Sequence, residues 1–218
     1  HSFSATFIVR MYNWEQLNQN QAAKDLRPWT DRHSPTPIGD LAAATIAPIF
    51  SPRPNLSALE WYVQRMDTAQ SAIFFTAAFG VNARIEEVLS ADRDYLRYIL
   101  LEKEGGDVES LRRDPDNRIA VGSTVRNSFD RWQQERTTGL NTHVRFIHTK
   151  YLLVDPLSDH PLTITGSANF SDASTKNNDE NMVLIQGDRR VADIYLGEFM
   201  RLFQHFYFRY VVNTGTRS

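Results

Sequence analysis

The sequence predicts an α/β fold, and three observations carry that prediction. Residues 71–79 and 95–101 are apolar runs of strand length, as expected for strands covered on both faces. Segments 57–66 and 82–89 flank them with apolar residues at helical spacing. Strand and helix therefore alternate along the chain, which is the order of a layered unit built on a central sheet.

The elements follow in order. Residues 6–11 read as a short strand and 15–25 as a helix, while 27–39 holds Pro28, Pro35 and Pro37 and reads as a loop. No motif falls here, so residues 1–46 are expected to be an N-terminal extension or linker, with the domain spanning 47–218. Ser57 and Glu60 have capping-box spacing, and Leu59, Tyr62, Val63 and Met66 follow on one helical stripe. Gly80 bounds the first buried strand, and Asn82 is placed to cap the next helix. After Gly105-Gly106 come a short helix near Val108, a strand over 119–122 and an amphipathic helix over 125–135. Residues 143–155, 162–166 and 182–185 read as three further strands. A helix over 191–207 closes the unit, with Tyr195, Phe199, Phe203 and Phe206 on a core-facing stripe and Glu198, Arg201 and Gln204 outside it. The early alternation argues for a largely parallel sheet. The whole unit, from about 47 to 213, is expected to be a mixed central sheet with helices on both faces.

Composition excludes several classes. With 218 residues, 41% of them hydrophobic, the chain can bury a full core and is too apolar for disorder. It has no Cys, which removes disulfides, Cys-ligated metals and thiol nucleophiles. A net charge of −2 supplies no global field for nucleic acid. No apolar stretch approaches the roughly twenty residues of a bilayer span, and nothing assigns a compartment. The start at His1 without Met or a signal-peptide layout reads as an excerpt or a processed chain.

The chemistry concentrates in one window. It holds Phe146-Ile-His-Thr-Lys-Tyr-Leu-Leu-Val-Asp155, then Gly166-Ser-Ala-Asn-Phe-Ser171, then Asn178-Asp-Glu-Asn181. On a strand, alternation puts His148 and Lys150 on one face, and the same spacing pairs Ser167 with Asn169. Ammonium, hydroxyl and amide suit the non-bridging oxygens of a phosphate, while a neutral imidazole attacks or accepts a proton. Glu180 can orient His148 through its second ring nitrogen. Asp155, at a strand end, has the residue type of a turn former, and Ser171 that of a cap. A zinc site from His143, His148 and His160 lacks a recognised ligand spacing. Neither a nucleophile elbow, a zincin helix, a Walker loop nor a dinucleotide fingerprint is present. The glycosylation sequons at Asn55 and Asn169 are short enough to arise by chance, and modifying Asn169 would block the site.

This window resembles the phospholipase D superfamily. His148, Lys150 and Asp155 stand in its H-x-K-x4-D pattern, residues 166–169 match its G-S-x-N, and Glu180 occupies the place of its downstream acid. The likeness extends loosely back to about Ile49, and the loop over 156–161 is slightly long for the family. The resemblance implies a phospholipase D-like unit, catalytic roles for His148, Lys150, Asp155 and Glu180, and phosphate binding by Lys150, Ser167 and Asn169. It also implies a two-step phosphodiester displacement through a phosphohistidine, needing neither metal nor cofactor. Family members oppose two such motifs, and of the six histidines only His148 is followed by Lys two residues on. The expected partner is therefore a second copy in a homodimer, or a second motif-bearing unit of a longer protein, which the motif-free residues 1–46 favour. The substrate expected is a phospholipid or related diester. The alternatives are a nuclease on the same scaffold, for which Arg112, Arg113, Arg118, Arg126 and Arg131 offer a weak basic track, and an inactive half-domain.

Overall fold

A computed structural model describes residues 19–34, 36, 45–78, 81–103, 108–123 and 147–214. The strand expected at 6–11 and the helix expected at 125–135 lie outside the described residues. Within them run helix α1 (Gln19–His33), strand β1 (Thr45–Phe50), α2 (Ser57–Asp67), β2 (Ala72–Ala77), α3 (Ala83–Ser90), β3 (Leu96–Leu101) and α4 (Val108–Leu111). Then come β4 (Asn117–Val121), β5 (Tyr151–Val154), β6 (Leu162–Gly166), α5 (Asp172–Lys176), β7 (Asn181–Gln186) and the long α6 (Arg189–Thr214).

The strands form one sheet in the order β1-β7-β6-β5-β2-β3-β4. Only β2–β3 and β3–β4 are parallel; the other four pairings are antiparallel. The sheet is thus mixed, as expected for the whole unit, and the largely parallel sheet suggested by the early alternation is corrected. The physical reason lies in the connections. A parallel pair needs a crossover of a dozen or more residues, and the short β5–β6 link permits only a hairpin.

Alternation sends side chains to two cores. Phe75, Ile99, Leu152, Ile164 and Leu184 face the side that packs on α2 and α3. Phe74, Leu100, Tyr151 and Leu153 face α6, where Phe199, Phe203 and Phe206 are buried as their stripe predicts. Phe199 meets Phe74 edge-on at 5.3 Å between ring centroids. Helices therefore cover both faces.

Local readings meet corrections of detail. The cap of α2 is Leu56 with no side-chain hydrogen bond, so Ser57 and Glu60 form no capping box there. Asn82 does cap α3, accepting from the Arg84 amide at 3.0 Å. Ser171 caps α5 through the Ser174 amide at 3.2 Å. Residues 27–33, read as loop, are helical although Pro28 sits inside α1. An interior proline costs about 3 kcal/mol; here tertiary contacts offset it. Leu26 and Trp29 are buried, fully buried Arg53 donates to Asp31 at 2.6 Å, and Arg27 donates to the Lys176 carbonyl at 2.8 Å. Likewise β1 runs across the expected division at residue 46 and completes the sheet edge against β7.

Candidate active site

The C-terminal ends of β2 and β3, the start of β5, the end of β6 and the start of β7 lie at one end of the sheet. His148 and Lys150 arrive there on residues 147–150, which are not strand. The expected strand over 143–155 is therefore corrected to β5 alone, with residues 143–146 outside the described set. Side chains replace much of the ladder. The Thr76 hydroxyl donates to the Thr149 carbonyl and accepts from the Tyr151 amide, both at 2.9 Å. Glu102 accepts from the Ile147 amide at 2.7 Å. One rung of main chain continues past β5, from Gly166 N–H to the Lys150 carbonyl at 3.3 Å.

Lys150 is buried, and its ammonium donates to the His148 carbonyl at 2.8 Å. An ammonium has three donors; among the described residues this one bond is its hydrogen bonding, and it makes no ion pair. Burial pushes its pKa below the ordinary lysine value, while the Glu180 charge opposes that shift. His148 is exposed to solvent. Partial desolvation, then the Lys150 charge, hold its pKa below the ordinary imidazole value, against the opposing charges of Glu102 and Glu180. Glu180 immediately precedes β7. Its carbonyl accepts from the Ser51 amide at 2.9 Å and its carboxylate from Asn178 at 3.3 Å. Electrostatically, Lys150, His148 and Glu180 form one coupled group.

The G-S-x-N residues hold the β6–β7 junction. A Cβ on Gly166 would collide with the Asn181 carbonyl and sit 2.7 Å from the Met182 Cα, so only glycine fits this crossing. The Ser167 hydroxyl accepts from the Asn181 amide at 3.0 Å, and its own amide donates back to the Asn181 carbonyl at 2.8 Å. That hydroxyl is thus committed in part to the backbone. Asn169 donates its amide to Ser174 Oγ at 3.1 Å, while its side-chain oxygen is buried without a partner among the described residues. Phe170, next in chain, has φ of 51°, strained for a bulky residue. Its buried ring sits edge-on to Phe75 at 5.3 Å and Tyr62 at 5.6 Å, which holds the strained turn.

Asp155 lies at the other end of β5. Its carboxylate accepts from the amides of Gln70, Ser71 and Ala72 and from the Ser71 hydroxyl, at 2.7–3.1 Å. At about 3.3 Å per residue it stands about 16 Å from Lys150 along the chain, so it does not reach the His148 end and its geometry is that of the turn former. His160 belongs to the same far loop and so does not meet His148; His143 lies outside the described residues. Among the described residues, no group of three His, Asp or Glu could hold a metal.

Three contributors escaped the sequence reading: Thr76, Glu102 and Phe170. The first was visible only as a polar break in an apolar run, the second as the charge that ends one.

The family model described as cardiolipin synthase, PLD-like domain matches residues 62–203, well over half of the chain. The chain belongs to the phospholipase D superfamily. Similar solved structures include NucT from Helicobacter pylori (TM-score 0.56, 12% identity, 74% of this chain and 96% of that one). Phosphatidylserine synthase from Haemophilus influenzae is another (TM-score 0.51, 9% identity, 87% and 47%). A phospholipase D family member, Nuc from Salmonella typhimurium, is similar at TM-score 0.49 and 20% identity over 74% and 95%. No curated protein matches the sequence. At 12% and 9% identity the first two structures speak for the fold alone, and the family match places the chain in a superfamily of phosphodiesterases.

Proposed function

We propose that this unit cleaves phosphodiesters through a phosphohistidine on His148, without a metal. One observation carries the reading: a buried lysine ammonium, with two donors left among the described residues, lies beside an imidazole held toward its neutral form. A buried cation needs an anionic partner to be stable, and a phosphate diester supplies one. Lys150 would hold a non-bridging oxygen and the Asn169 side chain another, with Ser167 shaping the junction. The His148 lone pair attacks phosphorus, the bond to the leaving oxygen breaks, and that oxygen takes a proton from a second histidine. Water then attacks the phosphohistidine, giving its proton to the second histidine, and His148 leaves with its electron pair. Glu180 raises the basicity of His148, and Asp155 keeps the turn that ends β5.

The second histidine comes from a second motif-bearing unit, either another copy of this chain or another unit of a longer protein. The family description, which names a lipid synthase, and the net charge of −2 favour a phospholipid or related small diester as substrate. No described helix is long and apolar enough to cross a membrane.

The test is acid-quench trapping on the assembled enzyme with a labelled diester, with and without chelator. Label should appear on His148, vanish in His148→Ala, and be unaffected by chelator. Turnover persisting in His148→Ala, or abolished by chelator, refutes the mechanism.

A further inference from the structure

Glu102 is the only buried carboxylate among the described residues, and it ends β3, one residue beyond the strand. Burying a carboxylate costs several kcal/mol unless the group is well paired. Its carboxylate oxygen takes the Ile147 amide at 2.7 Å, across 45 residues of sequence. Its own amide donates to the Ala77 carbonyl at 3.0 Å, and its carbonyl accepts from Ser123 at 2.9 Å, so the backbone bearing it is fixed. The amide it holds belongs to the residue before His148. Thr76 holds the residues on the other side, through Thr149 and Tyr151.

We propose that Glu102 is a positioning residue for His148: its buried carboxylate anchors the backbone at Ile147 and presents a fixed negative charge to the imidazole. The inference deepens the proposed function and rests on His148 being the reacting histidine. The charged groups facing that ring among the described residues are Lys150 on its own segment, Glu102 beyond β3 and Glu180 before β7. Lys150 favours the neutral ring, and the two carboxylates favour the protonated one. Glu180 stands on a half-exposed junction, so water screens it, whereas Glu102 acts from inside the core.

Two variants separate anchoring from charge. Glu102→Gln keeps an amide oxygen able to accept from Ile147 and removes the charge. Thr76→Val removes a neutral anchor and leaves the charge. The readouts on the full chain are the His148 titration by NMR and hydrogen exchange at Ile147, with the amides of β2 and β3 as internal controls for folding. In Glu102→Gln the His148 midpoint should move to lower pH while Ile147 stays protected. In Thr76→Val the Tyr151 amide should exchange about tenfold faster or more, with the His148 midpoint nearer the wild-type value than in Glu102→Gln. Glu102→Leu should expose Ile147 to exchange as well as lower the midpoint. An unchanged midpoint in Glu102→Gln, or undiminished protection of Ile147 in folded Glu102→Leu, overturns the proposal. Neither readout uses turnover, so activity retained in His148→Ala would refute the catalytic reading separately.

Discussion

At one end of β5, Asp155 accepts from four donor groups on Gln70, Ser71 and Ala72; at the other, buried Lys150 gives one hydrogen bond, to the carbonyl of His148. Both residues belong to the same motif, five positions apart. The Asp155 carboxylate is fully supplied with donors by the start of β2, and a satisfied carboxylate is a fastener. The Lys150 ammonium is taken out of water and left with capacity to spare, which is the condition of a receptor for an anion. The difference teaches that a motif letter marks a position and that the packing around it sets its task.

The contrast breaks hardest at Lys150. Lys150→Ala should lower kcat on a diester by about 10²–10³, the size of one lost oxyanion contact, while the melting temperature holds or rises because a buried charge has gone. Steady-state kinetics and thermal melts on the same sample check both. At the other end, Asp155→Ala should leave activity per folded molecule near wild type and cost about 3 kcal/mol of stability, since three backbone amides lose a charged acceptor. Urea titration measures it, and a large fall in kcat with stability unchanged would return Asp155 to the catalytic set.

The smallest effect sharpens the electrostatics. His148 must be neutral to attack, and its pKa lies below the usual imidazole value of 6.5, so the acid limb of the rate profile should fall below pH 6.5. Desolvation is the first cause and Lys150 the second, so the residual activity of Lys150→Ala should show that limb moved to higher pH. Movement to lower pH would mean that Lys150 does not face the ring.

Much of this was legible because it is local. Apolar run length identified β2 and β3, the 3.6-residue stripe of Phe199, Phe203 and Phe206 identified α6, and Asn82 announced its cap. The spacing of His148, Lys150, Ser167, Asn169 and Glu180 marked the window that the family model also covers. Pro28 misled for the opposite reason. A proline's local penalty is readable, but the Arg53–Asp31 pair and the Arg27 bond to the Lys176 carbonyl that offset it join residues 22 and 149 positions apart.

By itself, then, the sequence determined the α/β class, the order of most elements and the superfamily of the chemistry, because period and spacing are written residue by residue. Only the tertiary structure decided which end of the sheet each motif residue serves. It parted Asp155 from Lys150 by the length of β5, buried Lys150, and brought Thr76 and Glu102 to the His148 segment across 75 and 45 residues. Those outcomes depend on desolvation and on hydrogen bonds between distant parts of the chain, and neither exists until the sheet has closed.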